Sequence, residues 1–192
     1  TTFIDSSANS HVITTVGNTH HEIDQKKFGT TSMHFDGTGD ALTIPGSTDF
    51  EFGTDDFTID MWHYAVGTPD TNDTLISWYK TAVGPFIEMT GTQYQLYKFP
   101  TDDHVSVGAF TTDQWNHIAL VRHSSRTKFY INGIETYSVA DTINYNSLTG
   151  GLVNIGRIYD ESSSNYITGY MDEIRFSKGI ARWTSNFTPP TR

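Results

Sequence analysis

The chain has 192 residues, of which 36% are hydrophobic and 14% aromatic, and it contains no cysteine. This length suits one all-β domain, and the lack of cysteine excludes disulfides, thiol catalysis and thiolate metal sites. The 12 basic and 22 acidic residues give a formal charge of −10, so nucleic acid is not an expected partner. Because no apolar run approaches about 18 residues, the sequence also predicts no membrane insertion.

The N-terminal third contains short strand signals separated by polar turns. Residues 1–19 are polar, with a weak strand signal at Val12, Ile13 and Val16. Residues 32–35 and 41–44 form a predicted hairpin around an acidic, glycine-containing turn at 36–40. A single helical turn is expected near residues 49–53. Residues 56–66 carry bulky side chains at both alternating sets of positions, which predicts a central strand covered on both sides.

The rest of the chain also consists of predicted strands separated by turns. Four shorter strands are predicted at residues 75–79, 86–89, 94–99 and 104–107. Residues 114–122 and 128–134 form a predicted meander with an Asn132-Gly133 hairpin turn. Further strands are predicted within 149–156 and 169–183. Since no segment longer than a turn has helical periodicity, the sequence predicts antiparallel sheets throughout.

Three separated phrases identify a family resemblance. They are Phe-Asp-Gly-Thr-Gly-Asp-Ala-Leu at 35–42, Trp-Asn-His-Ile-Ala-Leu-Val-Arg followed by Phe-Tyr-Ile-Asn-Gly within 115–133, and Gly-Tyr-Met-Asp-Glu-Ile-Arg-Phe-Ser-Lys-Gly-Ile-Ala-Arg-Trp at 169–183. In this order they resemble laminin-G-like, concanavalin A-like jelly-roll domains, especially those of bacteriophage virion and bacterial surface proteins. The resemblance implies an antiparallel β-sandwich jelly roll whose last strand is central. It implies one domain over 1–192, and leaves open that the chain is a fragment of a longer protein.

The resemblance implies a non-catalytic recognition or adhesion module that binds carbohydrate on a virion or cell surface, and hence an extracellular or virion-surface location. One alternative is a structural assembly domain whose partners are other virion or surface-protein subunits. Another is a laminarinase-type glycoside hydrolase, a family with a Glu-x-Asp-x-Glu strand. Here Glu22 and Asp24 are followed by Lys26 in place of the third acid. Glu88 likewise has no acid two or four residues further on.

Aromatic residues in the part of the chain least like the family are the candidate sugar ligands. Sugar rings present apolar C–H faces that stack on tryptophan or tyrosine. The predicted carbohydrate-binding residues are Trp78, Tyr79, Tyr94, Tyr97 and Tyr159. We expect at least two of the first four to keep a ring face open to solvent. The aromatics assigned instead to the core are Trp62, Trp115, Trp183, Phe57, Phe129 and Phe176.

A structural Ca²⁺ site is the metal prediction. Hard cations prefer carboxylates together with backbone carbonyls from tight turns. In many laminin-G-like domains such an ion is held by loops at one end of the sandwich, and the resemblance transfers this role to Asp40 and Asp172, with Asp36 as a third ligand. The alternative is that Asp36 and Asp40 are turn formers and that Asp172 caps a backbone amide.

Overall fold

The computed structural model describes residues 2–78, 84–98, 103–146, 151–158 and 165–191. These ranges contain a one-turn 3-10 helix, Thr48–Phe50, close to the expected turn. No helix in the described ranges is long and apolar enough to cross a membrane. The strands are β1 Thr14–Val16, β2 His20–Glu22, β3 Ser32–Asp36, β4 Ala41–Pro45, β5 Phe57–Ala65, β6 Thr71–Trp78, β7 Phe86–Thr90, β8 Gln93–Lys98, β9 Asp103–Ala109, β10 Trp115–His123, β11 Arg126–Ile131, β12 Ile134–Ala140, β13 Leu152–Ile155 and β14 Thr168–Lys178.

The strands form two seven-stranded antiparallel sheets. Sheet A has the order β1-β4-β13-β6-β7-β8-β9, and sheet B has the order β12-β11-β10-β5-β14-β3-β2. The predicted all-β jelly roll is therefore confirmed. The last strand, β14, lies between β3 and β5, as the resemblance implied. Strands far apart in the chain are consequently neighbours in sheet B.

The main core lies between the two sheets. Strand β5 shows the period of two, because Phe57, Ile59 and Met61 are fully buried and belong to this core. The alternate residues of β5 point to the outer face of sheet B. Trp62 is one of them and is still only 7% exposed, which confirms the prediction that this strand is covered on both sides.

A C-terminal strap, residues 179–191, covers part of the outer face of sheet B. Trp183 and Phe187 of the strap stack with their ring centroids 4.0 Å apart. They pack over Ala119, Val121 and Tyr130, which are fully buried and form a second, smaller apolar cluster. The covered part of this outer face therefore behaves as core rather than as surface.

Three of the six aromatics assigned to the core differ from the prediction. Phe57, Phe129 and Trp62 are buried as expected. Trp115, Trp183 and Phe176 are only partly buried. Trp183 lies on the strap and Trp115 on the outer face of sheet B, while Phe176 packs against the core after a bulge in β14. Residue type alone did not separate inner from outer positions.

Candidate functional site

The described members of the predicted sugar-binding set are buried. Trp78, Tyr94 and Tyr97 are 1%, 0% and 9% exposed, so the expectation that at least two of the four rings stay open is wrong. Trp78 packs edge-on against Phe52, with ring centroids 6.0 Å apart. A sugar ring cannot stack on a side chain that the sandwich itself encloses. The remaining two candidates, Tyr79 and Tyr159, lie outside the described residues.

Tyr94 has a structural partner in the core. Its hydroxyl is 2.9 Å from Nδ1 of His63, and its ring stacks on Phe110 at 4.3 Å. Burial lowers the pKa of His63 to about 3, so this imidazole is neutral in the folded protein. Burial also raises the pKa of the Tyr94 hydroxyl. The pair is thus a neutral hydrogen bond inside the sandwich.

The three predicted calcium ligands all accept backbone hydrogen bonds. Asp40 is fully buried, and its Oδ2 accepts the Asp36 amide at 3.0 Å. Asp36 Oδ1 accepts the Thr38 amide at 2.7 Å. Asp172 Oδ2 accepts hydrogen bonds from the amides of Lys27 and Phe28, at 3.0 and 2.9 Å. This geometry matches the turn-forming and amide-capping alternative, and calcium stays a prediction.

No group of three or more histidine or acidic side chains in the described ranges is placed to hold a metal ion. Asp40 connects the β3–β4 turn to residue 18, since its other oxygen accepts the Asn18 amide. Asp172 instead anchors the loop of residues 23–31, hereafter the 23–31 loop, to β14. The two carboxylates therefore stabilise two different connections.

The acids considered for hydrolysis do not share a strand face. Strand β2 ends at Glu22, so Asp24 and Lys26 lie in the loop that follows. Glu22 Oε1 accepts the amides of Ile23 and Asp24, at 2.6 and 3.0 Å. Glu88 is fully buried in sheet A, 2.8 Å from Nδ1 of His104. Neither glutamate belongs to the one-strand acid pattern of the laminarinase-type enzymes.

An exposed line of aromatic rings crosses sheet B, and the sequence reasoning missed it. The strand register pairs His20 with His34, His34 with Tyr170, Tyr170 with Tyr64, and Tyr64 with Trp115. Directly paired residues of neighbouring strands point to the same face of a sheet. The five side chains therefore form one line across β2, β3, β14, β5 and β10, which we call the aromatic row.

Ring contacts along the aromatic row are continuous. The centroids are 4.8 Å apart for His20–His34 and 5.1 Å for His34–Tyr170. They are 5.7 Å apart for Tyr170–Tyr64 and 5.6 Å for Tyr64–Trp115. All five residues are partly exposed, whereas buried residues such as Phe35 and Met171 occupy the opposite face of the same strands. The row is thus a surface feature of sheet B.

A glycine allows β14 and β5 to approach beneath the row. Gly169 has a φ of +146°, and a Cβ added there would overlap the carbonyl oxygen of Tyr64. Residues other than glycine rarely adopt this conformation. Gly169 thus fixes the spacing of the strands that carry Tyr170 and Tyr64.

The 23–31 loop borders the aromatic row with polar groups. The indole Nε1 of Trp115 donates to Oε1 of Gln25 at 3.2 Å. Burial, and then the nearby carboxylates of Glu22 and Asp24, raise the pKa of the Tyr170 hydroxyl. Oε2 of Glu22 also lies 3.8 Å from Nε2 of His20, at one end of the row. Apolar ring surfaces next to hydrogen-bonding groups are what recognition of a sugar requires.

A cavity of about 800 Å³ opens between the N-terminal segment and the bulge in β14. Two of its acidic lining groups have charged or ionisable partners within the cavity. Asp60 accepts two hydrogen bonds from Arg175, at 3.0 and 2.8 Å, and Asp49 lies 3.0 Å from Nε2 of His11. Because these groups already have partners, the cavity offers a ligand fewer free polar contacts than its size suggests.

The fold defines a lectin-like β-sandwich, and the aromatic row is an exposed ring surface on one of its sheets. A family model described as the concanavalin A-like lectin/glucanases superfamily matches residues 36–182. The chain belongs to this family. A search of curated protein sequences found no match.

Solved structures share the fold at low identity. One is domain 4 of AbnA, a GH43 extracellular arabinanase from Geobacillus stearothermophilus, in complex with arabinotriose; it is 17% identical, with a TM-score of 0.68, and the match covers 92% of this chain and 87% of that one. The botulinum neurotoxin serotype G binding domain is 14% identical with a TM-score of 0.66, and the match covers 96% and 46%. The chain therefore spans less than half of that toxin domain.

Two further matches carry sugar-related descriptions. The binding domain of botulinum neurotoxin DC, in complex with SialylT, is 10% identical with a TM-score of 0.65, and the match covers 91% of this chain and 44% of that one. A putative carbohydrate binding protein from Bacteroides ovatus is 18% identical with a TM-score of 0.55, and the match covers 68% and 39%. At these identities the likeness shows the fold alone.

Proposed function

We propose that this chain is a non-catalytic carbohydrate-binding module of an extracellular or particle-surface protein and that the aromatic row is its binding surface. The observation that carries the proposal is the alignment of five partly exposed rings across five neighbouring strands. Exposed aromatic residues in a connected group are unusual unless they serve recognition. The arabinotriose-bound arabinanase domain and the toxin binding domains, which share the fold, support the same function.

The rings of the row and the acids beside it have different roles in this function. The rings of Tyr64, Tyr170 and Trp115 supply apolar surface for the C–H faces of sugar units. Glu22 and Asp24 supply acceptors for sugar hydroxyls, and the tyrosine hydroxyls supply donors and acceptors. Strands hold the rings in place, so little side-chain freedom is lost when a ligand binds.

Alanine substitutions in the row test the proposal. A glycan array with the wild-type domain identifies a ligand, with arabinotriose as the first probe by titration calorimetry. Tyr64→Ala, Tyr170→Ala and Trp115→Ala should each weaken binding by about 1–3 kcal/mol, because an aromatic contact with the ligand is lost. Tyr64→Phe, which keeps the ring, should lose much less. Ile134→Ala is the matched control, since Ile134 is 55% exposed on the far edge strand β12.

Three other outcomes would contradict the proposal in different ways. If no glycan binds, the proposed function is wrong. If a glycan binds equally well to all three alanine variants, and their melting curves show folded protein, the site lies elsewhere and the 800 Å³ cavity is the next place to mutate. If the substitutions change the oligomeric state instead, the row is a subunit interface, as the assembly alternative requires.

A further inference from the structure

The geometry of the aromatic row points to a narrower class of ligand. We infer that it binds a single uncharged glycan chain in solution, in preference to a crystalline polysaccharide surface or an anionic glycan. This inference rests on the proposed function. It is carried by two independent observations, the tilt of neighbouring rings and the sign of the charges beside them.

Neighbouring rings of the row are steeply tilted against one another. The interplanar angles are 49° for His20–His34 and 49° for His34–Tyr170. They are 79° for Tyr64–Tyr170 and 69° for Tyr64–Trp115. A flat crystal face needs coplanar rings to contact several of them at once. A single glycan chain can rotate about its glycosidic bonds and place successive sugar faces on tilted rings.

The length of the row favours an oligosaccharide over a single sugar. Five neighbouring strands span four intervals of about 4.8 Å, or about 19 Å. One sugar ring would cover only a fraction of this length. Affinity should therefore increase with chain length until the row is filled, because each added unit can contact a further ring.

The charges that flank the row are mainly negative. Glu22 shares a face of β2 with His20, and its Oε2 lies 3.8 Å from Nε2 of His20, while Asp24 follows in the 23–31 loop. Asp36 is exposed and follows His34 by two residues on the same face of β3. Asp113 is exposed at the Trp115 end of the row, where its amide donates to the carbonyl oxygen of Ala65 at 2.9 Å. A carboxylate or sialyl group on the ligand would meet these acids.

Both lysines of the 23–31 loop contact groups outside the aromatic row. Lys26 donates to the carbonyl oxygen of Ile23 at 2.7 Å. Lys27 Nζ lies 3.8 Å from the ring centroid of Trp62, which is two residues from Tyr64 along β5. In both contacts the lysine bonds a group other than a carboxylate, and the whole chain carries a formal charge of −10. Electrostatics therefore favour an uncharged ligand.

Binding assays with matched glycans test the inference. Neutral arabino-, gluco-, xylo- and manno-oligosaccharides of increasing length are compared with uronic-acid and sialylated counterparts by titration calorimetry, and crystalline cellulose and chitin are used in pull-downs. In the neutral series, the dissociation constant should fall at least about tenfold from the disaccharide to the pentasaccharide. Anionic counterparts should bind at least about tenfold more weakly at low salt, with a smaller gap at high salt. Crystalline polymers should retain no more protein than an inert resin.

A double variant that removes two negative charges tests whether Glu22 and Asp24 cause the preference for neutral over anionic glycans. Glu22→Gln with Asp24→Asn keeps hydrogen-bonding groups and should narrow the neutral-over-anionic preference, while Trp115→Ala weakens both ligand classes. Glycan binding that depends on Trp115 but favours anionic or crystalline ligands would overturn this inference and leave the proposed function standing. An unchanged preference in the double variant would overturn the role given to the two acids. Binding to no glycan at all would overturn the proposed function itself.

Discussion

Two groups of aromatic residues in this sandwich differ in solvent exposure. Trp78, Tyr94 and Tyr97 lie on sheet A and are enclosed. Tyr64, Tyr170 and Trp115 lie on sheet B and stay partly exposed. Both groups sit on strands and have the same residue types. What separates them is which side of the strand each ring occupies and whether another layer covers that side.

Neighbouring residues show how this difference arises. Trp78 is paired with Val153 of β13, and both belong to the main core between the sheets. Tyr64 is also on a central strand, but it points outward, one position away from the fully buried His63 and Ala65. The C-terminal strap covers another part of the same outer face. Exposure of the row therefore depends on strand parity together with the path of the strap.

Removing an enclosed ring should have the largest effect. Trp78→Ala should destabilise the fold by about 3–5 kcal/mol, because it leaves a cavity between the sheets. Tyr64→Ala should cost only about 1 kcal/mol, since that ring is partly exposed and its loss leaves no enclosed cavity. Denaturant unfolding of both variants checks the contrast. Equal losses would mean that the row is as much a part of the core as Trp78 is.

The buried imidazole gives the core a pH dependence. The pKa of His63 is about 3 in the folded protein, while an unfolded chain would have its usual 6.5. Below pH 6.5 the unfolded state therefore binds a proton that the folded state does not, and stability falls by about 1.4 kcal/mol per pH unit as the pH decreases. Above pH 6.5 this contribution is constant. Unfolding free energies measured between about pH 7.5 and about pH 5 test this dependence.

Asp73 acts in the opposite direction and must be controlled. Burial raises its pKa from 3.8 to about 6, so the folded state retains a proton that the unfolded state releases. Its stabilising effect is full below pH 3.8 and is lost as the pH rises to about 6. Asp73→Asn should therefore steepen the loss of stability in acid, and His63→Gln should remove it. A pH profile that His63→Gln leaves unchanged would contradict a neutral core histidine.

Removing the anchor of the 23–31 loop should change stability less than Trp78→Ala does. Asp172→Ala leaves the amides of Lys27 and Phe28 without their acceptor and should cost about 1–2 kcal/mol. Sugar binding should weaken too, because the loop holds Trp115 through Gln25. If Asp172 also binds Ca²⁺, a chelator should lower the melting temperature of the wild type and leave that of Asp172→Ala unchanged. Chelator-insensitive melting of both proteins would contradict the calcium prediction.

The fold could be predicted from the sequence because its signals are local. The Asn132-Gly133 turn specifies a hairpin whose strands, β11 and β12, are adjacent in the chain. The predicted hairpin around the turn at 36–40 is wrong, because β3 lies in sheet B and β4 in sheet A, so that this turn connects the two sheets. The strand at 56–66 was also predictable as covered on both sides, because both alternating sets of its positions carry bulky side chains. The local signals predicted strands and turns, and the family resemblance supplied the two-sheet jelly roll and the central position of β14.

The aromatic row could not be predicted because it depends on long-range register. Tyr64, Trp115 and Tyr170 all fall in segments predicted as strands, but their alignment requires the order β10-β5-β14-β3-β2 and the pairing within it. A shift of one residue in any pair would turn a ring to the other face. Trp115 was assigned to the core because tryptophan is usually well buried. Only the pairing of Tyr64 with Trp115 shows that the indole lies outside.

The central position of β14 has a consequence for biosynthesis. Phe57 of β5 pairs with Lys178, so sheet B cannot close until the chain has been synthesised as far as β14. Until then the edges of β3 and β5 that β14 will occupy remain unpaired, and open edges of this kind invite association with other nascent chains. Contacts between such distant segments also form slowly. The domain is thus most vulnerable to aggregation in the interval between the emergence of β5 and that of β14 from the ribosome.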